Sequence, residues 1–555
     1  MADFVGFTLP DRMSAAAQLG GVVRFVTGDA VDSVSWAQLL DDALRLAGSL
    51  TSRGVGPGCH VALLGTTSRA LTTTIQATWL AGAAVMVLPL PMRLGSVDEF
   101  VNQTRGRIRA ADVDLVVIDD DLSAFYDRVE GDPPMALMHD LMRDAATRRA
   151  ASFTVPPISP DSLAVLQFTS GSTSDPKGVM LPHRTVVANL DGAGRALALT
   201  ADDVAVSWLP LYHDMGLIGL FTLPMVNGLD LVLASPQDFM AAPLRWLEWI
   251  SAFGGTATAG PNFSYALAGR ALRRASGLDL SSWRIALNGA EPVNPSTVRD
   301  FCAAGAAFGL APGSAFPAFG MAELAIAGTF PTPGRGLRVD AVDGRVLESD
   351  RYAAPVADEQ APGAQGFALL GRPIEGLEIR ITDPETGSTM LEREVGELEI
   401  RGTSVTPGYY KRPDDTAAAF RGEWFRTGDL GYLVDGELAL CGRIKDVIIV
   451  GGRNVFPEDV ERAAERVEGV RPGNVIAFSV QNDRGKERLV VVAETKADDH
   501  APIRAQVATR VREAVGLPTD DVVLVSPGSL PKTSSGKLQR SLCRTRYESD
   551  DLQPV

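Results

Sequence analysis

Cysteine is scarce in this chain. Cys59, Cys302, Cys441 and Cys543 stand far apart and form no Cys-x-x-Cys pair. That spacing excludes a disulfide framework and a thiolate zinc site, and it fits a reducing, cytoplasmic compartment. Positive charge is also short: the formal net charge is −16, which argues against a nucleic-acid partner and against an anionic membrane surface. Long apolar runs are missing. The best candidate, Gly216 to Ala234, is interrupted by Pro224, Asn227 and Asp230, so it reads as buried core and not as a membrane span. The start, Met-Ala-Asp-Phe-Val, lacks the basic-then-apolar layout of a secretory leader. No internal repeat or low-complexity run is visible. What remains is 45% hydrophobic and 22% charged, ordinary for a globular protein, and 555 residues exceed what one hydrophobic core holds.

Lysine is the rarest cation, with seven against 45 arginines. A lysine that survives such a bias marks a place where arginine cannot copy a compact, mobile point charge. Five of the seven (Lys177, Lys411, Lys445, Lys532 and Lys537) fall in loop-like segments rich in Gly, Pro and Ser.

Strand-like and helix-like stretches alternate through the first 230 residues. Ser33–Trp36, His60–Gly65, Ala83–Leu88 and Leu115–Ile118 read as strands, and Ala37–Ser52 and Arg69–Ala81 as helices. This alternation predicts an α/β fold with largely parallel sheets. Leu229–Ala234 and Arg284–Asn288 read as further strands. From Leu377 to Gly408 apolar residues recur with period two, predicting a small antiparallel sheet or barrel. The charge balance shifts near Gly442–Asp446, with 36 basic against 51 acidic residues through Lys445 and 16 against 17 beyond it. We therefore expect a large N-terminal domain over 1–442, a hinge at 443–446 and a small α/β domain over 447–555.

The run Leu166–Val179 places an apolar strand before a loop with five hydroxyls between Thr169 and Ser174, then Pro176-Lys177-Gly178. Hydroxyls, backbone N–H groups and one ammonium suit a polyphosphate, but the order is not that of a Walker loop. Other loops each offer one kind of group. Trp208–Gly216 contains His213; Asn288–Pro292 offers backbone and Glu291; Phe319–Glu323 offers an aromatic face and a carboxylate suited to magnesium. Trp424–Asp429 ends in an acid in a turn, and Lys537 follows the hydroxyl-rich Thr533–Gly536. Taken singly, each has a plain structural reading: His213 as a core histidine, Asp429 as a turn former.

Together, and in this order, the motifs resemble the adenylate-forming superfamily of acyl-CoA synthetases, luciferases and peptide-synthetase adenylation domains, over about residues 30 to 545. The resemblance implies roles position by position. Thr169, Ser170, Gly171, Ser172, Thr173 and Lys177 would hold the ATP β- and γ-phosphates. Gly289, Ala290, Glu291, Phe319, Gly320 and Met321 would frame the adenine, and Glu323 would bind Mg2+. Asp429 would bind the ribose hydroxyls with help from Arg443, and Lys537 would reach the α-phosphate from the small domain. His213 would lie near the reacting carboxylate, and Lys445 would be the hinge. Two positions depart from the family: Ser174 stands for a usual glycine and Phe319 for a usual tyrosine.

Within that superfamily the wording Trp208-Leu-Pro-Leu-Tyr-His-Asp-Met-Gly-Leu-Ile218, Pro261-Asn-Phe-Ser-Tyr265 and Ala322-Glu323 is similar to fatty acyl-AMP ligases. That branch hands its acyl-adenylate to an acyl carrier protein of a polyketide or nonribosomal peptide pathway. The long, polar Pro331–Gln365 run resembles the branch's insertion, which restrains the small domain; an ordinary variable loop is the plain alternative. Leu209, Phe253, Asn262 and Phe263 are candidates for an acyl pocket and equally for plain core. Two other functions stay open here: a fatty acyl-CoA synthetase, and a silent adenylate-binding protein. The basic stretch Lys532–Arg546 is a candidate dock for an acidic carrier.

Overall fold

In a computed structural model, residues 6–90, 97–126, 129–168, 177–450, 453–481, 487–533 and 537–555 are described. Thr169, Ser170, Gly171, Ser172, Thr173 and Ser174 lie outside the described residues.

Two parallel-rich sheets build the larger N-terminal domain. One has six strands in the order Met135–Leu137, Leu115–Ile118, His60–Leu64, Ala84–Val87, Leu163–Phe168, Gly178–Pro182. All its pairs are parallel except the last, where Phe168 sits opposite Gly178. The other has seven strands and runs from Ala315–Pro317 through Ile285–Asn288, Ala257–Gly260, Val204–Ser207 and Asp230–Ala234 to the hairpin Val22–Thr27/Ala30–Ser35. One apolar core joins the two sheets, including Val61, Val85 and Val165 from the first and Val23, Leu231 and Phe316 from the second. The helix Arg69–Leu80 is buried from Leu71 onward, so its threonines return their hydroxyls to its own carbonyls, such as Thr74 Oγ1 to Ala70 O at 2.7 Å.

The alternation read from the sequence is present as elements. Boundaries moved where a side chain caps an end. Trp36 begins a helix and does not close a strand, because Ser35 Oγ accepts the N–H of Gln38 at 3.1 Å. The Gly216–Ala234 run is buried core: a π-helix over Met215–Thr222, a short helix Leu223–Asn227 and a strand Asp230–Ala234. Among the described residues no helix is long and apolar enough to cross a membrane.

The strands Leu377–Thr382, Gly396–Gly402, Trp424–Val434, Phe420–Arg421 and Glu437–Arg443 form a five-stranded antiparallel sheet. The run from Pro331 to Gln365 is more ordered than its polarity predicts. Val339–Asp343 pairs antiparallel with Ala364–Ala368, with the helix Gly344–Asp350 between them. The physical reason is three buried apolar side chains of the run, Val342, Leu347 and Ala353, which with Phe367 just beyond it pack with Tyr432, Val434 and Cys441 and with Phe456 of the C-terminal part.

The smaller C-terminal domain centres on Val470–Gln481, Glu487–Thr495 and Asp521–Val525. Helices Pro457–Glu465 and His500–Val515 supply one apolar layer, and Arg540–Glu548 covers another through Cys543.

Candidate active site

A cleft of about 2350 Å³ lies where loops from both domains meet. His213, Asn262, Phe263, Gly289, Ala290, Glu291, Phe319, Gly320, Met321, Glu323, Asp429, Arg443 and Lys537 all line it. Parallel sheets explain the convergence: the loops leaving Ala257–Gly260, Ile285–Asn288 and Ala315–Pro317 all emerge from carboxyl ends of adjacent strands. Some expected residues are elsewhere. Leu209 is buried in the core and Phe253 packs under the Arg24 guanidinium at 5.8 Å; neither lines the cleft. Lys177 pairs with Asp415 Oδ1 at 2.6 Å and lies over the Tyr409 ring. Lys445 occupies a 3-10 turn, Ile444–Asp446, beside the cleft residues Arg443 and Asp446.

Two loops approach too closely for ordinary backbone. A β-carbon at Gly320 would sit 2.0 Å from Ile326 O, so only glycine lets the Phe319–Glu323 segment fold back. Ala290 takes φ 68°, a conformation that costs an L-residue energy and recurs at functional sites. Asn262 braces that loop, its Oδ1 accepting from Asn288 Nδ2 at 3.2 Å and Asn294 N at 3.1 Å. Phe263 N donates to Glu291 Oε1 at 2.7 Å.

The charges are arranged as buried acids facing cations. Glu323 is buried, and that burial pushes its carboxyl up; Tyr409 Oη donates to its Oε1 at 3.0 Å. Burial likewise raises Asp429, partly offset by Arg443, whose Nε lies 2.8 Å from Asp429 Oδ1. Burial lowers the Lys537 ammonium, while Asp214, Glu291 and Asp429 pull it back and Arg443 opposes them. His213 Nδ1 lies 2.5 Å from Asp214 Oδ1, and Met215 N donates to Asp214 Oδ1 at 2.7 Å. Burial raises the Asp214 carboxyl, but His213 and then Lys537 outweigh it and the net shift is down.

A family model for AMP-binding enzymes matches residues 14–410, and the AMP domain of Disco-interacting protein 2-like proteins matches 445–554. The chain belongs to the AMP-binding enzyme family. It is 39% identical over 519 residues to a provisionally named ligase of Mycobacterium tuberculosis, covering 91% of this chain and 93% of that one. It is 38% identical over 408 residues to the medium-chain-fatty-acid–[acyl-carrier-protein] ligase JamA of Moorena producens, covering 71% and 69%. A solved structure from work on fatty acyl-adenylate ligases of E. coli and L. pneumophila superposes with TM-score 0.90 at 30% identity, covering 98% of both chains.

As an ATP-dependent, AMP-forming ligase, this family member shows partners that residue-by-residue reading missed. Tyr409 holds Glu323, Asp214 holds His213, and Asp415 holds Lys177. The only sequence signal for Tyr409 was its Gly408-Tyr409-Tyr410 turn beside Lys411; for Asp214, its place directly after His213. Two of the five cations in the basic stretch near the end find acids. Arg540 is held by Asp446, Glu458 and Glu461, and Arg544 by Glu548.

Proposed function

We propose that the chain activates a fatty acid with Mg-ATP and passes the acyl group to the phosphopantetheine thiol of an acyl carrier protein. The observation that carries this reading is a cleft in which Lys537 of the small domain meets Asp429, Glu323 and Glu291 of the large one, and whose wall also carries the apolar side chains Trp208, Met215, Leu220, Met240, Phe263 and Leu267.

In the first step a carboxylate oxygen attacks the α-phosphorus. A P–O bond forms, the bond to the β-phosphate oxygen breaks, and pyrophosphate leaves with its electron pair. The fatty carboxylate is already ionised near pH 7, so no general base is required. What the step requires is positive charge where negative charge accumulates, and alignment. Lys537 supplies that charge to the α-phosphate and carboxylate oxygens, the Thr169–Lys177 segment holds the leaving group, and Asp429 with Arg443 orients the ribose. Gly289, Ala290, Glu291, Gly320, Met321 and the Phe319 ring frame the adenine.

Glu323 fits a magnesium site: it is buried, and its nearest hydrogen-bond partner is a neutral phenol. No cluster of three His, Cys, Asp or Glu suited to a metal exists among the described residues, as expected where one carboxylate shares the ion with substrate phosphates. The bound ion would neutralise phosphate charge. In the second step the carrier's thiol attacks the acyl carbon: a C–S bond forms, the C–O bond to AMP breaks, and the thiol's proton passes to solvent; His213, paired with Asp214, would lie near that carbon. The small domain, 447–555, turns about Lys445 in the hinge 443–446 between the two steps.

A carrier acceptor is favoured over CoA by the Val339–Ala368 insertion, whose apolar core packs on Phe456 and so ties the small domain down. A cytoplasmic location agrees with four free cysteines. The test is direct: supply ATP, magnesium and fatty acids of graded length, then CoA or a holo carrier protein. Acyl-AMP formation and carrier acylation are expected. Fast, saturable acyl-CoA production would replace this reading with that of an acyl-CoA synthetase, and no pyrophosphate exchange with any acid would leave a silent adenylate-binding protein.

A further inference from the structure

The helix Val97–Ala110 carries three arginines that behave differently. Arg105 and Arg109 turn to one acid, buried Asp132, at 3.2 and 3.5 Å. Arg107 lies on another face. Phe100, Gln103, Arg107 and Ala110 are three or four residues apart, share one stripe of the helix, and all line the cleft with Phe168 at the start of the hydroxyl-rich loop. The Arg107 side chain is half-buried and makes no ion pair or hydrogen bond with any described residue. Four other arginines lining the cleft have a carboxylate: Arg443 has Asp429, Arg462 has Asp459, Arg471 has Glu494, and Arg540 has three; Arg270 and Arg546 line it without an ion pair among the described residues, Arg270 exposed and Arg546 on the C-terminal helix.

Desolvating a guanidinium without a counter-charge is costly, and burial does lower the Arg107 pKa. Its position in the last turn of the helix offsets part of that cost, since a helix C-terminus favours a cation. The dipole accounts for a basic residue there but not for its facing the cleft. There every reactant in the proposed reaction is an anion. Carboxylate, triphosphate and phosphopantetheine all carry negative charge, and a planar fork of donors fits phosphate best.

We propose that Arg107 is a binding residue for a substrate phosphate group in this cleft. The claim rests on the adenylation reading above. The phosphate comes from one of two sources, the ATP triphosphate or the phosphodiester of the carrier's phosphopantetheine.

The test uses the full chain with Arg107→Gln and Arg107→Met. Pyrophosphate exchange gives KM for ATP and for the fatty acid; acyl transfer gives KM for holo carrier protein. Loss of one charge-assisted contact should raise one phosphate-bearing substrate's KM about tenfold or more. A rise for ATP assigns the triphosphate, and a rise for the carrier assigns the phosphopantetheine. The proposal is overturned if both values stay within twofold of wild type, or if only the fatty-acid KM moves. Because Arg107 has no partner to lose among the described residues, both variants should melt at or above the wild-type temperature; a variant that fails to fold shows a structural role and also overturns it. If wild type itself makes no acyl-AMP, the adenylation reading fails and this claim, which rests on it, falls with it; a wild type that is active beside variants with unchanged KM values overturns this claim alone.

Discussion

Lys537 is one of seven lysines in the chain, and its place explains why arginine did not replace it. An ammonium that must follow a moving phosphate is a compact charge on a flexible stem. Its removal in Lys537→Ala should cut adenylation by about 100-fold or more, measured by pyrophosphate exchange. Burial lowers its pKa, so the useful charge is present at low pH and lost as pH rises through that lowered value. The kcat/KM profile for adenylation is therefore expected to fall on its alkaline side before the ordinary lysine value of about 10.4. Lys537→Arg should be less active but should move that limb upward; an unmoved limb would mean another group titrates there. Tyr409 is a second residue-scale prediction. Tyr409→Phe removes a side-chain donor to Glu323, and loss of such a partner typically weakens a metal site about 10-fold or more. Activity titrated against magnesium should show it. Glu323 was legible beforehand but its pairing with Tyr409 was not, because a tyrosine at 409 and a glutamate at 323 share no pattern in the chain.

At the scale of elements, the strands and helices of the first 230 residues were legible because period and caps agree. The Pro331–Gln365 segment was not, because the three buried apolar residues it gives to this cluster, Val342, Leu347 and Ala353, are spread among polar ones and acquire a partner face through residues such as Tyr432 and Phe456. The C-terminal helix Arg540–Glu548 makes a similar point. Its leading arginine reads as surface charge, yet Arg540 lies 2.7 Å from Asp446, 3.3 Å from Glu458 and 3.0 Å from Glu461. Removing one partner of a buried cluster leaves the others uncompensated, at about 3–5 kcal/mol. Arg540→Gln should therefore melt the small domain early, seen by limited proteolysis. Burial also raises Glu461 to about 7 and Asp459 to about 6. Acids raised in the folded state stabilise it most below their unfolded pKa, so stability should fall as pH climbs from the ordinary carboxylate range to about 7. A melting-temperature series should show the slope, and Glu461→Gln should flatten it.

For the whole molecule, the decisive fact is that groups from two domains share one cleft. If Lys445 is the pivot, Lys445→Pro should slow carrier acylation at least several-fold more than adenylation; equal loss in both would place the pivot elsewhere. Chemistry-bearing residue types and their order are local: Glu323, Asp429 and Lys537 were each visible as polar residues in distinctive segments, and Arg443 through the family resemblance; the turn expected at Asp429 is instead a strand, where Asp429 faces Arg443 of the next strand. The α/β class was equally local, since hydrophobic period depends on near neighbours alone. Which charges are free was not local. Arg540 and Lys177 each find an acid, Arg107 lines the cleft without one among the described residues, and Phe253 does not line it. A charge's partner is set by where the chain returns after tens or hundreds of residues, which composition and spacing do not encode. The sequence by itself determined which groups exist and which elements carry them; only tertiary packing decided which of those groups are neutralised, buried or left facing the substrate.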